Sequence, residues 1–318
     1  MDQFHLMSVF VAVAEQQGFA AAARSLGISP PAVTRAIAAL EQNLGIRLLQ
    51  RTTRIVRLTE AGLRYLEDAR RILSDVEAAA DAAAGINAQP RGHLTVTAPV
   101  LFGRIFVLPA LIEYLETYPE TRMSSLFLDR IVNMLEEGVD VGVRIGELPD
   151  SSMRALRVGS VRLMLCASPA YLQQQGRPET LQALEGHSII ASSAGSGAAL
   201  GDWRFTTKTG IQSLRIRPRL SVTTNDAAIE AAVQGLGITR VLSYQVAEHI
   251  SSGALEVLLS DCEPAPRPIH IMHREGRYAS AKVRALVDLL AQRLRANPAI
   301  EQGPEQPLQA TGAKSNPR

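Results

Sequence analysis

Residues 19–58 read FAAAARSLGISPPAVTRAIAALEQNLGIRLLQRTTRIVRL. Ala20 to Leu26 is a run of small residues that predicts a short helix which another helix can cross closely. Gly27 can adopt the positive φ that stops a helix, and Ile28 can plug the turn. Ser29 then stands where a helix cap belongs, with Pro30 at the first helical position, where no amide is missed. Val33, Ile37, Leu40 and Leu44 recur at spacings of four, three and four, which predicts one buried stripe. Pro31, Thr34, Arg35 and Ala38 fall on the opposite face. One arginine, one hydroxyl and methyl-sized groups suit a DNA major groove, because arginine grips guanine through two hydrogen bonds and methyl groups touch thymine.

An ordinary helical hairpin would also contain two such helices. The next residues argue against it. Leu48 and Leu49 lead into Gln50-Arg51-Thr52-Thr53-Arg54, followed by Ile55-Val56-Arg57-Leu58. Two short extended stretches around a basic tip make a poor core element and a good phosphate clamp. A helix-turn-helix followed by a basic wing is an all-α winged DNA reader, assigned to residues 1–58. Its candidate DNA contacts are Ser29, Pro30, Pro31, Thr34, Arg35, Arg51, Thr53 and Arg54.

Thr59 and Glu60 can cap and charge a helix with no proline until Pro90, so a long linker helix is expected over residues 59–89. Leu66, Ala69, Leu73, Val76, Ala80 and Ala83 repeat at three and four. A helix of that length, roughly 45 Å, exceeds what one small domain needs. Leu66, Leu73, Val76 and Ala80 are therefore the expected dimer seam, with a helix folded back on its own domain as the plainer alternative, and a dimer would offer two reading heads to a two-fold site. Pro90-Arg91-Gly92 breaks the helix and marks a domain boundary.

The chain has 318 residues, 46% hydrophobic, enough for further cores beyond the N-terminal module. A net charge of only +2 makes the DNA argument one of arginine placement rather than bulk charge. No basic-then-apolar leader opens the chain and no apolar run approaches membrane-spanning length, so a cytoplasmic, membrane-free protein is expected. Two cysteines, Cys166 and Cys262, make neither a disulfide framework nor a zinc spacing. Cys166 reads as inert core, with a peroxide-sensing pair as the alternative. His270 and His273 sit three apart on an expected strand, hence on opposite faces, so no metal is expected. No Ser-His-Asp set or carboxylate pair points to an enzyme, and no cofactor is implied.

From His93 strands alternate with helices: strands at 93–98, 123–128, 139–144, 163–168, 188–192, 220–223, 237–241 and 268–273, and helices at 104–117, 131–136, 225–234 and 282–294. Such alternation implies open α/β sheets with ligands at the carboxyl ends of strands. Residues 296–318, rich in Pro, Gln and Gly, read as a disordered tail. Two strand-to-helix turns are the effector candidates: Thr97, Pro99, Val100 and Phe102 in one, Thr224 and Asn225 in the other. Helix N-termini with unpaired amides can hold a carboxylate, Arg144 can add a charge, and Phe102 can stack on an aromatic ring. The plainer reading makes Thr97, Thr224 and Asn225 helix caps and pairs Arg144 with Asp140.

The chain resembles the LysR-type transcriptional regulators over residues 1 to about 295. Ala22-Ala23-Arg24-Ser25-Leu26, Ser29 to Ile37, Leu40-Glu41, Leu44-Gly45, Leu48-Leu49, Arg51-Thr52-Thr53 and Leu58-Thr59-Glu60-Ala61-Gly62 stand where that family's signature stands. Asp140 to Gly146, followed by Leu148-Pro149-Asp150-Ser151-Ser152, is similar to one large branch of it. Thr34 replaces a frequent serine, and Gly237-Ile-Thr-Arg-Val241 departs from an apolar run that commonly ends in Leu-Pro. The resemblance implies a two-lobed α/β effector domain over 93–295, similar to periplasmic solute-binding proteins. Lobe one would be 93–162 with 268–295, and lobe two 163–267. It further implies a bacterial homodimer or homotetramer that binds double-stranded promoter DNA, answers to a small carboxylate or aromatic effector, and has RNA polymerase as a further partner. Two rivals are a solute-binding protein, which the missing leader and the winged helix disfavour, and an α/β enzyme fused to a DNA anchor.

Overall fold

In the computed structural model, which describes residues 2–51, 56–84, 89–148, 153–193, 202–273 and 279–301, the apolar spacing of the N-terminal sequence closes into a helical core. α1 (Gln3–Gln16) turns Leu6, Val9, Phe10 and Val13 inward, α2 (Phe19–Leu26) adds Ala22 and Ala23, and α3 (Pro30–Leu44) adds Val33, Ala36, Ile37 and Leu40. A fully buried aliphatic side chain contributes ~1.5–3 kcal/mol. Packing of this kind, more than propensity, keeps a helix as short as α2 folded. Leu44, expected in the buried stripe, is exposed instead. The helix ends there, because Gly45 takes a φ of 66° and its amide turns back to the Gln42 and Glu41 carbonyls.

The wing forms as expected. β1 (Leu49–Arg51) pairs antiparallel with β2 (Val56–Leu58), Leu49 opposite Leu58; the tip, 52–55, lies outside the described residues. Glu41 of α3 accepts hydrogen bonds from the Leu48 and Leu49 amides at 2.9 and 3.0 Å. The Thr59 hydroxyl donates to the Arg47 carbonyl at 2.8 Å and accepts from the Gly62 amide at 2.9 Å, which caps α4 (Glu60–Ala84). A Cβ on Gly62 would stand 2.0 Å from the Leu48 carbonyl oxygen, so only glycine fits.

The start of α4 differs from expectation. Leu66 is buried in the helical core and Ala69 is buried as well, Tyr65 meets Phe10 edge-on at 5.4 Å between centroids, and Arg70 pairs with Glu15 at 2.9 Å. Leu66 therefore packs inside its own domain and is withdrawn from the dimer seam. Leu73 is half-buried and Val76 is exposed. The helix is described to Ala84; residues 85–88 and the side chain of Ala80 lie outside the description.

Past Pro90 the α/β pattern appears. β3 (Gly92–Ala98) is followed by a helix that begins before the expected Arg104. α5 (Val100–Phe102) passes through a π turn (Gly103–Val107) into α6 (Leu108–Thr117). β4 (Thr121–Phe127) and β5 (Val141–Ile145) flank β3 in parallel, and the Thr97 hydroxyl donates to the Leu126 carbonyl at 2.8 Å. In place of the expected helix at 131–136, residues 131–133 are irregular and a single turn follows from Met134. The Asn133 side chain caps it by accepting from the Leu135 and Glu136 amides, the Glu137 amide reaches the Asn133 carbonyl at 2.9 Å, and Gly138, with a φ of 62°, ends it.

β6 (Arg154–Val161) was not anticipated, because its exposed first half hides the alternation. There follow β7 (Leu163–Ala167), α7 (Pro169–Gln175), β8 (Ile189–Ser192), β9 (Asp202–Thr207), β10 (Gly210–Arg215), β11 (Leu220–Val222), α8 (Asn225–Val233), β12 (Ile238–Leu242), α9 (Ala247–Ser251), β13 (Glu256–Leu258), β14 (Arg267–His273) and α10 (Ala281–Arg295). One five-stranded sheet has the order β4-β3-β5-β14-β6 and the other β11-β8-β12-β7-β13. The β9–β10 hairpin, also unanticipated, sets Trp203 opposite Leu214. It buries Trp203, Phe205 and Leu214 with Leu165, Tyr171 and Ile238. The tail is ordered further than expected: Ile300 is buried, and Ser160 and Glu301 exchange backbone hydrogen bonds of 2.8 and 2.9 Å. Residues 302–318 lie outside the described residues.

The chain divides into two compact units. The first is Met1–Gly142, Asp150–Ala155 and Met272–Leu289; the second is Val143–Pro149, Leu156–Ile271 and Leu290–Arg318. Two substitutions test the packing. Gly62→Ala is expected to cost about 1–3 kcal/mol or more, because the clash is with backbone. Thr97→Val should cost about 1 kcal/mol, the net worth of its hydrogen bond. Urea unfolding of each variant against wild type reads both.

Candidate functional site

On α3, burial of Val33, Ala36, Ile37 and Leu40 leaves Pro31, Thr34, Arg35 and Ala38 exposed together, as the sequence predicts. Among the described residues nothing pairs with the Arg35 guanidinium, so its forked donors are available to a base edge or phosphate. Thr34 donates its hydroxyl proton to the Pro30 carbonyl at 3.1 Å, which leaves the oxygen as an acceptor and the methyl outward. Ser29 occupies the cap position, with φ −73° and ψ 148°, but its hydroxyl makes no cap bond. That corrects the expectation, and the cause is local. Pro30 and Pro31 have no amides to cap, and the Ala32 and Val33 amides already reach the Ser29 carbonyl. The Ser29 hydroxyl is thus left at the surface, where a phosphate contact would have to come from the side chain.

Arg51 lies on β1, with its side chain outside the described residues, as are Thr53 and Arg54. Thr59 caps α4 as the sequence predicts, but sequence reasoning missed its bond to the Arg47 carbonyl and the roles of Glu41 and Gly62, which with it fix the wing to α3 and α4. Their signal was present, since all three belong to the motif already quoted, but residue type alone does not announce a carboxylate that accepts from two amides.

The effector candidates fare differently. Thr97 is fully buried with its hydroxyl engaged, and Phe102 is fully buried against Phe106, 4.8 Å between ring centroids. Phe102 therefore cannot stack on a ligand ring as expected; it is core. Pro99 is half-buried and Val100 exposed, but the Val100 amide donates to the Asp129 carboxylate at 3.0 Å. In the second unit Thr224 is exposed and makes no cap bond, Asn225 is half-buried, and Asp226 accepts from the Ala227 amide at 2.9 Å. Each turn offered for a ligand carboxylate already holds a carboxylate of the chain. Arg144, also in the second unit, is half-buried with Nη1 3.4 Å from the Val143 carbonyl.

Other chemistry is sparse. Burial pushes the Cys166 thiol up to about 12, so it stays protonated and unreactive at neutral pH. Among the described residues no group of His, Cys, Asp and Glu could hold a metal, and no helix is long and apolar enough to cross a membrane. A cavity of about 680 Å³ in the first unit is lined by Glu15, Glu67, Arg70, His93, Asp140 and Lys282 among others, and by none of the effector candidates. In it Arg70 pairs with Glu15, and Asp140 accepts from the Thr95 amide.

Comparison with known proteins places this geometry. Residues 4–63 match the model of the bacterial regulatory helix-turn-helix protein of the lysR family, and residues 87–295 match the LysR substrate binding domain. The transcriptional regulator DmlR of Escherichia coli (strain K12) is 34% identical over 286 residues, covering 90% of this chain and 92% of its own. CrgA of Neisseria meningitidis serogroup B is 30% identical over 292 residues, covering 92% and 97%. Among solved structures, CrgA from Neisseria meningitidis gives a TM-score of 0.60 at 29% identity, covering 92% of this chain and 99% of its own. The Vibrio cholerae virulence activator AphB gives 0.58 at 26% identity, with coverage of 92% and 99%. With both halves matched across nearly its full length, the chain belongs to the LysR family of bacterial transcriptional regulators.

Proposed function

We propose that this regulator reads promoter DNA through the exposed face of α3 and the basic wing, working in the cytoplasm as a homodimer or homotetramer. A small molecule taken up by residues 93–295 alters that reading, and RNA polymerase is the downstream partner. The observation that carries the proposal is a pairing on one helix. Pro31, Thr34, Arg35 and Ala38 face outward on α3, while Glu41 of the same helix holds both amides at the base of the wing. Groove reader and phosphate clamp are thereby kept in one register. Arg51, Thr53 and Arg54 are proposed as the clamp, and residues 59–89 as the linker. The lobe limits proposed are 93–162 with 268–295, and 163–267.

For assembly the supporting observation is apolar exposure. Leu63 and Val76 are exposed on α4, and Ile105, Leu108 and Ile112 stand exposed at helical spacing on the π turn and α6. A second copy of the chain is the occupant we propose for both. For the effector, Asp129 and Asp226 change the expected chemistry. A ligand carboxylate at Val100 or at Thr224–Asn225 would meet like charge, so groups that donate hydrogen bonds, such as hydroxyl or amine, suit these turns better. Pro99, Val100, Arg144, Thr224 and Asn225 remain the proposed contacts.

Gel shifts with DNA from beside the protein's own gene test the DNA face. Arg35→Ala should lose about 1–3 kcal/mol on the cognate site and relax base preference. Arg54→Ala should weaken all sequences alike and flatten the salt dependence. If Arg35→Ala leaves affinity and preference intact, the α3 face is not the reader. Light scattering tests assembly: Val76→Asp, which places a charge against a desolvated partner surface, should reduce the oligomer. An unchanged oligomer with wild-type DNA affinity would remove this stretch of α4 from the interface.

A further inference from the structure

Arg240 belongs to the Gly237-Ile-Thr-Arg-Val241 stretch, where this chain departs from an apolar run. It stands on β12 opposite Leu165 of β7, with its side chain on the Ile238 face that the β9–β10 hairpin covers. There its guanidinium lies over the Trp203 ring, 4.6 Å from the centroid, and 5.7 Å from that of Phe205. One nitrogen donates to the Arg204 carbonyl at 3.3 Å. Stacking holds the planar cation flat and leaves its edge donors to be satisfied in the ring plane.

A second arginine stands nearby. Arg267 opens β14 and is close enough for its charge to add to the burial that brings Arg240 down to about 9; burial lowers Arg267 as well. Among the described residues no carboxylate pairs with either guanidinium. A half-buried guanidinium beside a second, exposed one, with no carboxylate paired to either, leaves a concentration of positive charge that an anion would offset. Elsewhere in the same unit the chain supplies the counter-charge itself, as at Arg162 between Glu263 and Glu301.

We propose that Arg240 and Arg267, on the shelf made by Trp203 and Phe205, form a binding site in the second unit for a small oxyanion, a carboxylate or phosphate group. None of its residues is among the effector candidates above. Arg240 provides the flat fork that matches a planar or tetrahedral oxyanion through two hydrogen bonds, and Arg267 supplies the second charge.

Trp203 is the only tryptophan of the chain and lies directly under Arg240, so its emission reports on the site. The full-length protein is titrated with sodium phosphate and with sodium acetate, against sodium chloride at matched ionic strength. A saturable change in emission is expected with phosphate, acetate or both, and not with chloride. Phosphate alone would identify a tetrahedral ligand group, and acetate alone a carboxylate. Arg267→Gln, at an exposed strand start, and Arg240→Lys, which keeps charge but loses the fork, should each weaken the response roughly tenfold or more. Arg154→Gln, an exposed arginine elsewhere, should not. Emission that follows ionic strength alone, or variants that titrate like wild type, would overturn the site.

Discussion

The DNA-binding half depends on one carboxylate. Glu41 projects from α3 and accepts from two successive amides, Leu48 and Leu49, where the chain leaves the helix and enters the wing. Hydrogen bonds to an ionised acceptor are about twice as strong as neutral ones. Here they occupy donors that neither α3 nor the β1–β2 ladder would otherwise satisfy. The Thr59 hydroxyl bridges the same junction from the other side, and the bare Cα of Gly62 lets α4 approach the Leu48 carbonyl. Reader helix, wing and linker helix are thus joined within a span of about twenty residues.

That junction also explains why α4 begins as part of the DNA-binding domain. Tyr65 and Leu66 pack onto the core of α1, Ala69 is buried one turn on, and the Arg70–Glu15 ion pair lies alongside. The pair is exposed and adds little to stability; the apolar contacts are what hold the helix. The start of α4, α3 and the wing thus form one packed body, and on the proposed function a ligand would act on that body only through its differential affinity for two arrangements.

Much of this was legible in the sequence, and the exceptions have physical causes. The helix-turn-helix and wing could be read because Gly27, the prolines and the apolar spacing all pointed the same way. Leu44 was misjudged because the stripe continues in sequence one turn beyond the point where Gly45 ends the helix. The helix expected at 131–136 shrinks to one turn because Asn133 caps it three residues late and Gly138, at positive φ, ends it. Phe102 was read as a ligand contact from its place after a strand, but an aromatic one turn into a helix beside a sheet more often faces the core, and here it meets Phe106. Asp129 was invisible as an occupant of the first effector turn, since pairing between a carboxylate and an amide 29 residues away leaves no periodicity to read, whereas Asp226, beside the Ala227 amide it accepts from, stood in plain view and was not weighed. The β9–β10 hairpin does alternate, but Thr207 and Gly210 at its turn did not stand out among the neighbouring Thr and Gly residues.

The central claim is that the Glu41 junction organises the DNA-reading surface before DNA arrives. Native-state hydrogen exchange of the Leu48 and Leu49 amides, in free wild-type protein and in Glu41→Ala, tests it most directly. The account predicts that in wild type both amides open only with unfolding of the helical core, and that in Glu41→Ala they lose that protection while the amides of α1 keep theirs. Rapid exchange of both amides in the wild-type protein would contradict it, as would equal protection in the variant.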